Sequence, residues 1–141
     1  MIVQGQTTIF KQNLLCGLEN FNTGTTYTYK IALYDALANL DNSTLAYTST
    51  NEITGTGYTA GGEILTPIVP NSSNTDNTAW VSFNDVTWSP ASFTCRGALI
   101  YNATTGAAVA VLNFGSDKTA TSSFTITFPT ANATNAIIRI A

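Results

Sequence analysis

The chain has 141 residues and a formal net charge of −3, and only 9% of its residues are Asp, Glu, Lys or Arg, where about 25% is typical of soluble domains. This length predicts one domain, and the five scattered basic residues form no positive stripe that could contact a phosphate backbone, which argues against nucleic-acid binding. The absence of histidine removes the commonest general base and nearly every zinc enzyme, and no apolar run approaches the ~18 residues of a membrane span.

The polar residues of the chain are mainly Thr, Asn, Ser and Gly rather than charged residues. Because low charge favours association, this composition suits a protein that works within a lattice or assembly. An ordinary extracellular β-domain fits the composition equally well. Residues 1–6 lack the basic and apolar regions of a secretory signal, so we expect the chain either to stay in the cytoplasm where it is made or to leave by assembly into a particle.

The first predicted element is a short helix over residues 7–18, which follows an N-terminal arm over residues 1–6. Thr7 or Thr8 can cap its first turn, and Gly17 can end it. One face carries apolar residues four positions apart: Phe10, Leu14 and Leu18. Such a short helix needs to dock on a sheet to be stable.

A glycine-rich segment, residues 50–62, carries four glycines within eight positions of a Thr- and Tyr-rich context. Glycine adopts positive φ without steric cost, so this segment predicts a surface loop with repeated sharp turns. A phosphate-binding loop is excluded because a helix should follow it, whereas residues 63–67 have the pattern of a strand.

Residues 25–141 predict about seven short strands separated by turn signals, a pattern typical of a β-sandwich. The predicted strands cover residues 27–34, 64–69, 79–83, 93–101, 107–114, 123–128 and 136–140. Pro70 and residues 71–77 end the second strand, and residues 102–106 form a hairpin loop. The expected fold is therefore all-β: one domain over residues 1–141, with an Ig-like or jelly-roll-like sandwich preceded by one short helix.

In two of these strands, the alternation of side chains predicts which residues share a face. The strand over residues 27–34 predicts one strongly apolar face. In the strand over residues 93–101, the alternate residues from Phe93 to Tyr101 share a face, and Arg96 lies on the other face near an edge or interface. Cys95 lies in this strand and Cys16 in the helix, so free buried thiols are a better prediction than a disulfide.

The eight carboxylates do not form a recognisable catalytic or metal-binding pattern. Asp41, Asp76 and Asp117 lie in Asn-, Ser- and Gly-rich contexts, where they favour Asx turns. A carboxylate pair acting as a glycosidase and a calcium site formed by loop oxygens are the alternatives, although the twelve-residue EF-hand loop is absent. We expect no enzymatic activity, no catalytic residue, no metal ligand and no cofactor.

Aromatic residues in loops supply the candidate binding groups. Trp88, within the predicted loop 85–90, and Tyr58, within the glycine-rich segment, can anchor a protein interface or stack on sugars. The alternative is that Trp88 folds back to fill the end of the sandwich, and we favour this for Trp88. For Tyr58 the two interpretations have nearly equal weight.

Residues 51–62, Asn-Glu-Ile-Thr-Gly-Thr-Gly-Tyr-Thr-Ala-Gly-Gly, resemble the NEVSGTGYTAGG signature of a family of tailed-bacteriophage virion proteins. Five further segments are similar to family motifs in the same order: 10–18 (FKQYLLDG), 30–34 (KVALL), 85–89 (DVTW), 96–101 (ARYAVIY) and 112–118 (IDFGEDK). The likeness covers most of the chain, and residues 39–50 and 71–77 depart from it.

This resemblance implies a virion component, and the leading hypothesis is a capsid decoration (cement) protein on the outer capsid surface. Its partner would be the major capsid protein, and it would form a homo-oligomer, with a trimer as the expected form. The alternatives are a component of the tail, baseplate or fibre, bound to a tail protein, and a host-glycan-binding module. The candidate interface residues are Phe10, Lys11, Tyr58, Trp88 and Arg96, together with arm 1–6, because chain termini often become ordered only on docking.

Overall fold

The computed structural model describes residues 1–141, with 45% of them in strands of antiparallel sheets and 6% in a helix. The predicted all-β sandwich with a short N-terminal helix is therefore confirmed. In chain order the elements are β1 Gly5–Gln6, α1 Thr8–Leu15, β2 Tyr29–Tyr34, β3 Glu63–Leu65, β4 Pro67–Ser73, β5 Thr78–Phe83, β6 Val86–Trp88, β7 Phe93–Asn102, β8 Ala108–Ala120, β9 Phe124–Ile126 and β10 Ile138–Ile140. There are ten strands rather than about seven, since several are only two or three residues long.

The central element is a five-stranded sheet with the order β1-β8-β7-β2-β3. A three-stranded sheet, β10-β5-β4, and a two-stranded sheet, β6-β9, contribute residues to the same core as one face of the central sheet. That main core contains 23 buried residues. A second cluster of 9 buried residues involves the opposite face, where the arm and the segment after β2 pack. The central sheet is therefore covered on both sides.

Strand β2 shows this two-sided burial directly. Ile31 and Leu33 belong to the main core, and Ala32 and Tyr34 belong to the second cluster. The prediction of a single apolar face in this strand was wrong, because both faces are removed from water. Near-continuous apolar runs are expected in a strand that is buried on both faces.

The predicted alternation in β7 was wrong because the pairing with β8 is irregular. Cys95 pairs with Lys118 and Gly97 with Asn113, so Arg96 alone on β7 faces residues 114–117 on β8. Such a bulge shifts the side-chain alternation. Phe93 and Cys95 consequently contribute to the main core, whereas Leu99 and Tyr101 contribute to the second cluster.

Helix α1 is shorter than the predicted span 7–18. Thr7 is the N-cap: its Oγ1 accepts a hydrogen bond from the Phe10 N–H at 3.2 Å and donates to the Ala108 carbonyl at 2.9 Å. The helix ends at Leu15, and Gly17 follows with a φ of 71°. Cys16 is therefore an exposed C-cap rather than a buried thiol, whereas Cys95 is buried as predicted and both are free.

The N-terminal arm is packed on the second cluster. The Met1 ammonium donates to the Ala38 carbonyl at 2.8 Å, Ile2 is buried, and β1 pairs with β8. The expectation that this arm awaits a partner before it becomes ordered was therefore wrong. It supplies apolar cover that the second face of the central sheet requires.

The predicted strand 64–69 is split between two sheets. Strand β3 pairs with β2 in the central sheet, and after Thr66 the chain continues as β4 on the edge of the three-stranded sheet. Pro70 does not end β4, because it lies at a register shift between Ile68 and Asn71. An edge strand tolerates proline at such a bulge because the missing N–H is not needed by a neighbouring strand. The predicted hairpin loop 102–106 joins β7 to β8 and is confirmed.

We expect the free energy of unfolding to fall steeply above pH 10. Tyr29 and Tyr34 are buried, and burial raises the pKa of each phenol above its ordinary value. In the unfolded chain both phenols ionise near pH 10, so the stability linked to their neutral form is complete below pH 10 and is lost as pH rises. Each such tyrosine contributes a slope of about 1.4 kcal/mol per pH unit.

Urea denaturation, followed by circular dichroism between pH 8 and 11.5, measures this slope. The Tyr34→Phe variant should be less stable at pH 8, because it loses the hydrogen bond to the Thr48 carbonyl, and it should show a shallower decline above pH 10. The same slope in both proteins would show that Tyr34 does not contribute to this loss of stability.

Candidate interaction surface

The main core borders a surface depression beside α1. A depression of about 250 Å³ opens there between the helix, the loop that follows it, and strands β5 and β10. Four of its lining residues belong to the main core: Phe10, Phe21, Val81 and Ile138. The exposed Ala79 and the half-buried Trp80 complete the β5 side. We call this the apolar depression.

A second depression, of about 590 Å³, adjoins the first. Its lining residues are Gln6, Lys11, Leu14, Leu15, Arg139, Ile140 and Ala141. Leu14 and Ile140 line both depressions, which are therefore neighbours, and we call the two together the α1–β10 groove. Helical spacing brings Lys11 and Leu15 to one side of α1, and the side chain of Leu15 is 90% exposed.

The second depression is bordered by two cations without acidic partners. The single ion pair of the protein joins Arg96 to Asp117 at 2.8 Å, so neither Lys11 nor Arg139 has a carboxylate within salt-bridge distance. Arg139 makes only a long hydrogen bond, 3.4 Å, to the Ala133 carbonyl. Both side chains are on exposed residues and are free to pair with an incoming anion.

A carboxylate with incomplete hydrogen bonding lies at the wall of the apolar depression. Glu19 Oε2 accepts hydrogen bonds from the Tyr29 hydroxyl at 2.7 Å and from Asn102 Nδ2 at 3.1 Å. Its other oxygen, Oε1, is buried and has no hydrogen-bond partner in the protein. A buried acceptor without a partner is unfavourable, and this oxygen has almost no accessible surface through which a ligand could reach it.

The structure brings two of the five candidate interface residues to this groove. Phe10 lines the apolar depression but is fully buried, whereas Lys11 lines its neighbour and is exposed. Tyr58, Trp88 and Arg96 line neither of them. Arg96 lies at the β7 bulge and is held by Asp117.

Trp88 is only 2% exposed, in agreement with the alternative that it fills the end of the sandwich. The predicted loop around it is instead the short strand β6, which pairs with β9. Trp88 packs against Phe93 and Phe124 with ring centroids 6.4 and 5.9 Å away. Its side chain is therefore unavailable to a partner or a sugar.

Tyr58 is held by hydrogen bonds within the protein. Its hydroxyl donates to Glu52 Oε1 at 2.6 Å and accepts from the Leu33 N–H at 2.9 Å. Burial and the hydrogen bond to Glu52 raise the pKa of this phenol. Tyr58 thus fixes the glycine-rich segment on strand β2 rather than pointing to a partner.

Glu52 is the residue around which the glycine-rich segment folds, although no sequence pattern assigned it a role. Its Oε1 also accepts from the Gly61 N–H at 2.7 Å, and its Oε2 accepts from the Tyr47 hydroxyl at 2.5 Å. The sequence feature that could have indicated this role is a single carboxylate in a segment that is otherwise neutral and rich in hydroxyl groups. The loop is therefore an internally braced structural element.

The glycines of this segment permit very close backbone contacts. A Cβ atom at Gly57 would lie 1.7 Å from the Pro90 carbonyl oxygen, and one at Gly62 would lie 1.8 Å from the Ile31 carbonyl oxygen. Both glycines also have positive φ, as the sequence predicted. The most distinctive motif of the chain is thus explained by packing against β2 and the 90–92 segment.

Other acidic residues have local structural roles. Asp41 accepts hydrogen bonds from the N–H and hydroxyl of Ser43, as an Asx turn predicts, and Asp76 accepts from the Ser73 hydroxyl. The Asx turn predicted at Asp117 was wrong, because this carboxylate pairs with Arg96. No group of three or more His, Cys, Asp or Glu side chains is arranged to hold a metal ion. The structure has no helix with the length and apolar character needed to cross a membrane.

Comparisons with protein-family models, with curated proteins and with solved structures each found no match to this chain.

The close approach at Gly62 generates a test with a matched control. Gly24 also has positive φ, at 82°, but a Cβ atom there meets nothing within 4 Å. Gly24→Ala should therefore cost only the backbone strain, roughly 1–2 kcal/mol. Gly62→Ala adds a clash with the Ile31 carbonyl and should cost at least twice as much or prevent folding.

Urea denaturation of the two variants and the parent protein measures both costs. Equal destabilisation by Gly24→Ala and Gly62→Ala would show that the glycine-rich segment does not press against β2.

Proposed function

We propose that this chain is a non-enzymatic structural protein of a tailed-phage virion, and specifically a capsid decoration (cement) protein that binds the outer shell through the α1–β10 groove. The observation that carries the proposal is the groove itself, whose apolar lining includes Leu14, Ala79 and Trp80, none of which is buried. Its mouth is bordered by the exposed apolar residues Leu15 and Ile140. Exposed apolar surface of this kind marks interaction sites.

The composition supports the same function. Only 9% of the residues are charged, so little electrostatic repulsion opposes dense packing of copies on a shell. The resemblance of residues 51–62 and five further segments to tailed-phage virion proteins supplies the viral context. The major capsid protein is accordingly the proposed partner.

A cement protein must bridge neighbours, so it needs a second contact surface. Met1, Leu37 and Leu45 are largely exposed apolar residues, and none of them lines the groove. They belong to the arm and to the segment after β2, which cover the second face of the central sheet. We assign this second surface to contacts between copies, in a homo-oligomer such as a trimer, while the groove binds the shell.

The mechanism of stabilisation is mechanical. Because the central sheet is buried on both faces, the domain resists deformation when its two surfaces are held by different neighbours. Each copy then adds buried area, on the order of 1,600 Å² for a specific interface, that must be exposed before the shell opens. No catalytic group is needed for this role.

A tail, baseplate or fibre component is the second structural candidate, since a groove of this kind serves a tail protein partner equally well. A host-glycan-binding module based on Tyr58 and Trp88 loses its support, because Trp88 is buried and the Tyr58 hydroxyl is engaged by Glu52 and Leu33. Copy number separates the two structural roles.

The test uses virions of the phage that encodes the chain. Quantitative gel analysis of purified particles should find hundreds of copies, and particles assembled without the protein should release DNA at a lower temperature in a dye-based melting assay. The reference sample is the same deletion strain supplied with the protein from a plasmid. A handful of copies per particle would assign the chain to the tail, and absence from the particle would refute a virion role.

A further inference from the structure

We infer that the glycine-rich segment, residues 50–62, is an edge cover: it closes the half of β2 that β3 leaves unpaired, and it thereby prevents another copy of the chain from adding a strand to the central sheet. The observation that carries the inference is a set of hydrogen bonds between this segment and the backbone of β2. The inference concerns the free protein and goes beyond the proposed function, on which it does not depend.

Strand β2 has complete strand pairing on one side only. On that side it pairs with β7 over its whole length, residues 29–34. On the other side, β3 pairs only with residues 29–31. The remaining residues, Ala32, Leu33 and Tyr34, carry no charge, and their side chains are fully buried. An uncharged strand edge with unpaired N–H and C=O groups is a template for pairing with another chain.

The glycine-rich segment supplies the missing backbone partners. Residues 51–53 run antiparallel to the end of β2. The Asp35 N–H donates to the Asn51 carbonyl at 3.0 Å. The Ile53 N–H donates to the Leu33 carbonyl, also at 3.0 Å. These three residues of the segment therefore act as a very short neighbouring strand.

The Tyr58 hydroxyl completes this pairing. In an antiparallel ladder, two opposite residues of a hydrogen-bonded pair exchange two N–H···O bonds, but Leu33 and Ile53 make only one. Beyond Ile53 the chain leaves β2, and Thr56 pairs with Ser92. The Leu33 N–H instead donates to the Tyr58 hydroxyl oxygen at 2.9 Å. This side chain thus takes the place of the Ile53 carbonyl as the acceptor at the edge of the sheet.

Glu52 holds the Tyr58 hydroxyl in this position. Its Oε1 accepts hydrogen bonds from that hydroxyl at 2.6 Å and from the Gly61 N–H at 2.7 Å. Its Oε2 accepts from the Tyr47 hydroxyl. A tyrosine hydroxyl has one proton, so the bond to Glu52 directs the oxygen lone pairs of Tyr58 towards β2. One carboxylate therefore ties the start of the segment to its end and sets the acceptor for the β2 edge.

The other sheet edges have protection of their own. Strands β1, β3, β6, β9 and β10 are only two or three residues long. Strand β4 contains Pro67 and Pro70, and the outer part of β8 carries Asp117 and Lys118. Short strands, prolines and charged side chains all discourage edge-to-edge pairing. Residues 32–34 of β2 have neither proline nor charge, so a covering segment is the device that remains for this edge.

Amide hydrogen exchange of the purified full-length protein, resolved by NMR, tests the role of the Tyr58 hydroxyl. Tyr58→Phe keeps the ring and removes the acceptor, so the Leu33 amide should exchange at least tenfold faster relative to the amides of β7, which report global opening. Tyr34→Phe is the matched control, because it removes a buried hydroxyl that bonds the Thr48 carbonyl instead. It should change the relative Leu33 rate less than twofold. An equal change in both variants would refute the role of Tyr58.

Sedimentation velocity tests the edge cover itself. Glu52→Ala removes three hydrogen bonds of the segment, so this variant should form species larger than any that the parent protein forms at ten times the concentration. Glu19→Ala is the matched control, because Glu19 also accepts a hydrogen bond from a tyrosine hydroxyl but makes none with the glycine-rich segment. It should sediment like the parent protein. In the species formed by Glu52→Ala, the Leu33 and Asp35 amides should be protected from exchange, because a strand of another copy replaces the segment.

Two outcomes of the sedimentation experiment would overturn the inference. The first is a folded Glu52→Ala variant, as judged by circular dichroism, that keeps the size of the parent protein. The second is association in which the Leu33 and Asp35 amides exchange rapidly, since the contact would then lie elsewhere. If Glu52→Ala does not fold, Tyr58→Phe is measured by the same two methods and judged by the same criteria, with Tyr34→Phe as its control.

Discussion

The structure depends on the antiparallel pairing of β7 with β2 and β8, in a sheet that is buried on both faces. Strand β7 lies in the middle of this sheet and supplies Ala98 and Ile100 to one core and Leu99 and Tyr101 to the other. Burying an aliphatic or aromatic side chain of this size contributes roughly 1.5–3 kcal/mol. Neither face can remain exposed, so each remaining element acts as cover for one side of the sheet.

This requirement explains the positions of the less regular segments. The arm and the segment after β2 cover the second face, and the small sheets with α1 cover the first. The glycine-rich segment is held against β2 by Glu52, Tyr58 and the close approach of Gly62 to Ile31. Where α1 and β10 meet, the α1–β10 groove borders the main core, and Phe10 and Ile138 in its wall are themselves buried.

The fold class followed from the sequence because local patterns report local structure. The Thr7 cap and the turn at residues 102–106 depend on neighbours a few positions away, and both are present. The face assignment in β7 failed because the bulge at Arg96 depends on the irregular course of β8 some twenty residues later. The prediction that Pro70 ends a strand failed for a similar reason, since only the sheet order reveals that β4 is an edge strand.

The candidate site was partly predictable. The helix surface, with Phe10 and Lys11, was expected to face a partner, and both residues line the groove. Its other wall comes from β10, more than a hundred residues away in the chain, and no local pattern joins Leu14 to Ile140. Tyr58 and Trp88 were both candidates because an aromatic residue in an apparent loop resembles an interface anchor. Burial and hydrogen bonding engage both inside the fold, as the favoured interpretation of Trp88 predicted. A distinctive motif can thus reflect folding constraints rather than binding.

The central claim is that the end of the sandwich formed by α1 and β10 is the surface that contacts the viral shell. A cryo-electron microscopy reconstruction of intact virions that contain the protein tests it most directly. The account predicts sandwich density on the outer shell, with α1 and β10 against a capsid subunit and density from that subunit inside the groove. Density that instead shows this end of the domain facing solvent, with the shell contacted through another surface, would contradict it.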